Sequence, residues 1–96
     1  MKAYVIVNVN VKDTERYAEY AKAATPTVAA HGGRYIARGG RAEKLEGNIA
    51  VNRIVVLEFP HYDQAKGWYD SPEYQAAASI RQSCSSGELI LVEGIT

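Results

Sequence analysis

Arg53-Ile-Val-Val-Leu-Glu-Phe-Pro60 is the stretch whose reading decides the fold. Alternation puts Ile54, Val56 and Glu58 on one face of a strand and Arg53, Val55, Leu57 and Phe59 on the other. Branched and aromatic side chains suit a pleated strand. Apolar residues on both faces predict a central strand from about Asn52 to Phe59, with Glu58 as the exception on its face. Pro60 stops the strand and a helix follows. Tyr62, Ala65, Trp68 and Tyr69 recur at helical spacing, with His61 as the expected cap and Asp63 in the first turn. Asp70-Ser71-Pro72-Glu73 then punctuates the helix: Ser71 caps, Pro72 fits a first helical position and Glu73 suits the positive end of the helix dipole. The helix resumes through Tyr74, Ala77, Ala78, Arg81 and Cys84, and Ser85-Ser86-Gly87 is predicted to end it.

Upstream, Ala3 to Val11 reads as a strand with Ala3, Val5, Val7, Val9 and Val11 on one face. Tyr4, Ile6, Asn8 and Asn10 occupy the other. Asp13 can cap a helix that carries Tyr17, Tyr20, Ala21 and Ala24. Pro26 disfavours helical geometry at Thr25, so a kink, or a break with Thr25 capping a second piece, is expected there. His31-Gly32-Gly33 closes the helix, with Gly32 free to take the left-handed conformation. Arg34 to Arg38 is a second strand, Tyr35 and Ala37 alternating against Arg34, Ile36 and Arg38. Residues 41–51 form a mixed-charge connection, and Glu88 to Glu93 is the last strand, Leu89 and Leu91 facing one way and Ile90 and Val92 the other.

The order strand, helix, strand, strand, helix, strand gives two split βαβ units. They predict an α+β, ferredoxin-like βαββαβ fold: a four-stranded antiparallel sheet with two helices on one face. The crossover rule makes the first and third strands central neighbours. Two helices cover one face only, yet the third and fourth strands are apolar on both. A soluble monomer avoids so large an exposed apolar patch, so a homodimer packing sheet face on sheet face is expected.

The 96 residues suffice for one domain, 1–96, with a core that needs no staples. A net charge of zero gives no general attraction to nucleic acid or to an anionic membrane. Residues 1–48 carry eight Lys/Arg and five Asp/Glu, and residues 49–96 three and six, a split of +3 and −3. The basic excess sits largely in Arg34, Arg38, Arg41 and Lys44, either a solvated strand edge or a local anion site. Cys84 is the single cysteine, which excludes an intramolecular disulfide and suits a reducing, cytoplasmic setting. No segment reads as a targeting signal, and no apolar run approaches the ~18 residues that span a bilayer.

Glu58 is the candidate catalytic base. On an apolar face a lone carboxylate is either paired, with Arg81, Arg38 or Arg53 as expected partners, or solvent-facing, or a proton acceptor in a pocket between sheet and helices. Arg81 follows Tyr74, Ala77 and Ala78 on the inward side of its helix, as a snorkelling side chain or a pocket arginine for a carboxylate. His31 and His61 stand at helix ends without a second ligand at metal spacing, so no metal is expected. Glycine spacing supports no nucleotide site, and no cofactor is expected. One of Tyr17, Tyr20, Trp68, Tyr69 and Tyr74 is expected to line a ligand cavity. The candidate ligand-binding set is Arg38, Arg81, Tyr74, Ser71, Tyr20 and His31.

His31-Gly-Gly-Arg-Tyr-Ile-Ala-Arg-Gly-Gly40, the Arg53–Pro60 strand and Trp68-Tyr-Asp-Ser-Pro-Glu-Tyr74 together resemble the domain of unknown function 1330 family, across essentially the whole chain. The resemblance implies membership of the dimeric α/β-barrel group, and with it the same fold and dimer. That group includes cofactor-independent monooxygenases of aromatic polyketides, muconolactone-type isomerases and stress-responsive barrel proteins. Arg38, Glu58, Ser71, Tyr74 and Arg81 resemble the family's characteristic polar positions, whereas His61 stands where the pattern more often has Ser or Asp. The expectation is a homodimer binding a small organic anion, as a cofactor-free proton-transfer or oxygenation enzyme. The alternative is a non-catalytic ligand-binding or stress-associated dimer.

Overall fold

The valine alternation of β1 (Ala3–Val11) places it at the heart of the sheet, in a computed structural model that describes residues 1–96. The remaining elements are α1 (Thr14–Ala30), β2 (Arg34–Arg38), β3 (Arg53–Phe59), α2 (Tyr62–Asp70), α3 (Pro72–Cys84) and β4 (Ser85–Glu93). The strands lie in the order β2-β3-β1-β4, every neighbour antiparallel. Val5 stands opposite Leu57 and Leu91, and Val7 opposite Val55 and Leu89. These registers gather the apolar residues of three strands onto the face that the helices cover, and that face is the core: Val5, Val7, Val9, Leu57 and Phe59 are all buried.

The helices contribute aromatic rings. Trp68 packs 5.4 Å from the Phe59 ring centroid and 4.1 Å from that of Tyr74. Its indole Nε1 donates a 3.0 Å hydrogen bond to Thr27 Oγ1, so the largest buried side chain has its one polar atom satisfied. Asp13 caps α1 by accepting from the Arg16 amide, and Gly32 closes it at φ 77°. Ser71 ends α2 and caps α3, its hydroxyl accepting from the Tyr74 amide. No helix is long and apolar enough to cross a membrane.

Several local expectations are corrected. The α1 helix runs without interruption through Pro26. Thr25 and Thr27 hydroxyls donate to the Ala21 and Ala24 carbonyls instead of capping a new helix. Burial of Ala24, Thr27 and Val28 holds the segment helical despite the roughly 3 kcal/mol that an interior proline costs. The second helical region is two helices, α2 and α3, because Ser71 is extended at φ −65° and ψ 145°. His61 has N-cap geometry but no side-chain capping bond. The last strand starts at Ser85, directly after α3, because Ser85, Ser86 and Gly87 pair with Val11, Asn10 and Val9.

The face of the sheet away from the helices is open. Ile6, Ile36, Ile90 and Val92 there are 39%, 45%, 59% and 44% exposed. Asn8 ties the connection after β2 to the end of this face, donating to the Ala50 carbonyl and accepting from the Asn52 amide.

Candidate anion-binding site

A bulge in β2 decides where Arg38 points. Strict alternation would leave it beside Arg34 and Ile36. The register shifts between Tyr35 and Ala37, so Ala37 pairs with Val56 and Arg38 with Val55, and the two faces exchange beyond that point. Arg38 therefore reaches the helix side. Its guanidinium carbon lies 4.0 Å from the Tyr35 ring centroid, and Nη2 donates to Thr25 Oγ1 on α1 at 2.8 Å. Arg53 opens β3 on the same face as Val55, with its guanidinium carbon 5.7 Å from the Tyr17 centroid. Gly39, at φ 70°, passes directly against the Arg53 guanidinium, where a Cβ would collide. The Arg53 Nε is buried without a hydrogen-bond partner.

Between these arginines and the core lies a cavity of about 30 Å³, walled by Val7, Tyr17, Tyr20 and Tyr35 and closed by Arg38 and Arg53. Burial pushes the Tyr20 hydroxyl well above its usual pKa, and the neighbouring Tyr74 reinforces the shift. Burial likewise raises Tyr17, against the opposing pull of Arg53. Both phenols are thus neutral donors at physiological pH. Behind Tyr20, its hydroxyl lies 2.9 Å from that of fully buried Tyr74. The Arg81 guanidinium carbon stands 5.9 Å from the Tyr20 centroid. Burial works against the Arg81 charge, but Tyr74 and Tyr20 outweigh it and raise its pKa.

The ion pairs are Lys2–Glu58, Arg34–Glu58, Arg16–Glu19 and Lys66–Asp70. Arg38, Arg53 and Arg81 have none. Arg38 and Arg53 at the cavity, and Arg81 behind it, thus have no carboxylate partner.

Of the residues singled out from sequence, Arg38 and Tyr20 line this cavity, and Tyr74 and Arg81 stand behind it. Ser71 is occupied as a cap. His31 serves the end of α1, its Nδ1 2.9 Å from the Thr27 carbonyl. Glu58 is on the open face, because Val55, Leu57 and Phe59 take the helix side of β3. It accepts from Arg34 Nε at 3.0 Å and sits 3.6 Å from Lys2 Nζ, rather than pairing with Arg81, Arg38 or Arg53. The Arg34 hydrogen bond holds its carboxyl below the usual range. Arg53 and Tyr35 were not among the candidate residues, and Tyr17 only as one of five aromatics of which one was expected to line a cavity. Arg53 left a signal nonetheless, since it is the one charge on the Val55/Leu57/Phe59 face. No group of three His, Cys, Asp or Glu side chains gathers at metal-binding distance.

The sheet, its helix layer and the cavity define an α+β protein of ferredoxin-like fold with an arginine–tyrosine pocket. The chain belongs to the family described as domain of unknown function (DUF1330), whose model matches residues 2–95. No curated protein sequence matches it. A protein of unknown function from Rhodopseudomonas palustris is similar in structure, with TM-score 0.80 and 18% identity, over 99% of this chain and 83% of that one. A dimeric ferredoxin-like protein of unknown function from Thermobifida fusca superposes with TM-score 0.68 and 19% identity, covering 98% and 92% of the two chains. SnoaB, a cofactor-independent oxygenase from Streptomyces nogalater, gives 0.68 at 11% identity over 99% and 94%.

Proposed function

We propose that the protein is a homodimer, joined through its open sheet faces, in which each protomer binds a small organic anion at the Arg38–Arg53 mouth. The observation that carries the binding site is the placement of these two arginines, with no carboxylate partner, over a tyrosine-walled cavity on the helix side. The void alone holds only about two waters. A ring enters by displacing Arg38 from Tyr35 and Arg53 from Tyr17. Each displaced cation–π contact is worth about 0.5–1 kcal/mol at an exposed site. Each charge-assisted hydrogen bond to an incoming carboxylate returns about 1.5–3 kcal/mol, so the exchange favours an anion and not a neutral ring.

The open apolar face supports the dimer, and a similar protein described as dimeric adds to that reading. Buried, unpaired Cys84 suits a cytoplasmic setting. Similarity to a cofactor-independent oxygenase keeps proton-transfer or oxygenation chemistry on the bound anion within this proposal. Glu58 would serve as its base only if the substrate were reached from the open face. A thermal-shift screen of small carboxylates and phenols tests binding. Stabilisation by aromatic carboxylates that disappears in Arg53→Gln supports the site, and a flat response across the screen refutes it.

A further inference from the structure

The cleft between the end of α3 and the start of β4 holds a cation that the tyrosine cavity does not use. Arg81, in the last turn of α3, keeps only 6% of its surface exposed, and its Nε has no hydrogen-bond partner. It is not among the residues lining the tyrosine cavity. It borders instead an outward-opening cleft of about 420 Å³ whose wall includes Tyr69, Gln82, Ser85, Ser86 and Leu89. No Asp or Glu lines that cleft. Ser85 is committed, its hydroxyl donating to the Arg81 carbonyl. The Ser86 side chain shares the open face with Asn10 and Ile90, which leaves the Gln82 amide as the rim donor. A desolvated guanidinium needs a counter-charge, and its planar fork matches an oxyanion through two parallel N–H bonds.

We infer that this cleft binds a small oxyanion, a carboxylate or a phosphate group, with Arg81 as the fork and Gln82 closing the rim. The inference is independent of the Arg38–Arg53 mouth, whose lining does not include Arg81.

The test is titration of the full chain with sodium acetate, and separately with sodium phosphate, at ionic strength held constant with sodium chloride. Proton–nitrogen correlation spectra follow the Arg81 side-chain Nε–H and the Ser86 and Gly87 amides. The expected result is a saturable shift at all three with at least one anion. Its midpoint weakens several-fold in Gln82→Ala, a surface change that leaves the core intact, and stays put in Arg53→Gln. Saturation by acetate marks a carboxylate ligand, and saturation by phosphate alone a phosphoryl one. Shifts linear in added salt overturn the site, as does a midpoint indifferent to Gln82→Ala. A midpoint that moves with Arg53→Gln places the anion in the tyrosine cavity and equally overturns it.

Discussion

Replacing Ile90 by aspartate perturbs the open face of the sheet at its most exposed large apolar residue. Ile90 is 59% exposed in the protomer and projects away from the helices, between Leu89 and Leu91, which pack toward the core. Fully burying an isoleucine is worth about 1.5–3 kcal/mol, so covering the exposed part contributes roughly 1–2 kcal/mol per protomer. In a two-fold interface the residue counts twice, which gives about 2–3.5 kcal/mol. The aspartate adds desolvation of a charge, so this figure is a lower bound. At 1.4 kcal/mol per factor of ten, the dimer dissociation constant rises at least about 30-fold. Sedimentation equilibrium over a concentration series reads that change directly, and circular dichroism checks that the protomer keeps its fold. A variant that associates as tightly as the parent would refute assembly through this face, as would a parent that is monomeric throughout.

Further outcomes concern the core and the ion pairs. Thr27→Val strands the buried Trp68 indole N–H, which costs about 1–3 kcal/mol. For a chain of this size that lowers Tm by roughly 4–8 °C per kcal/mol, measurable by thermal denaturation. Glu58 has a depressed folded pKa, so its pairing stabilises the fold above the unfolded value of about 4.3 and is lost as pH falls through the folded value. Tm profiles between neutral and acid pH should therefore converge for the parent and Glu58→Gln at the acid end and separate slightly at neutral pH. The same variant should leave any aromatic-carboxylate response intact, since Glu58 lies on the opposite face of the sheet.

How much of this was legible in the sequence differs by element. The valines of β1 and the Val55/Leu57/Phe59 set of β3 announced their buried face through strict alternation, and the registers bear them out. Ser71 and Asp13 announced their caps. Arg38 was misplaced on its strand, because the β2 bulge falls among Tyr35, Ile36 and Ala37, none of them a glycine that would flag an irregularity. Pro26 misled for a different reason: local sterics forecast a kink or a break, and the packing of Thr27 and Val28 against the core kept the helix unbroken. Glu58 drew attention because its apolar neighbours Ile54 and Val56 read as buried, whereas they belong to the face the helices leave uncovered. Arg53 was assigned to the correct face yet not to the site, since its closeness to Tyr17 depends on tertiary placement of α1.

The most direct test of the anion site is calorimetric titration with benzoate and with benzamide, two planar rings of similar size that differ in charge. Arg38 and Arg53 without a carboxylate partner predict saturable benzoate binding, benzamide weaker by tenfold or more from the loss of one charge-assisted bond of about 1.5–3 kcal/mol, and no benzoate heat with Arg53→Gln. Equal affinity for the neutral ring, or benzoate binding undiminished in Arg53→Gln, would contradict the account.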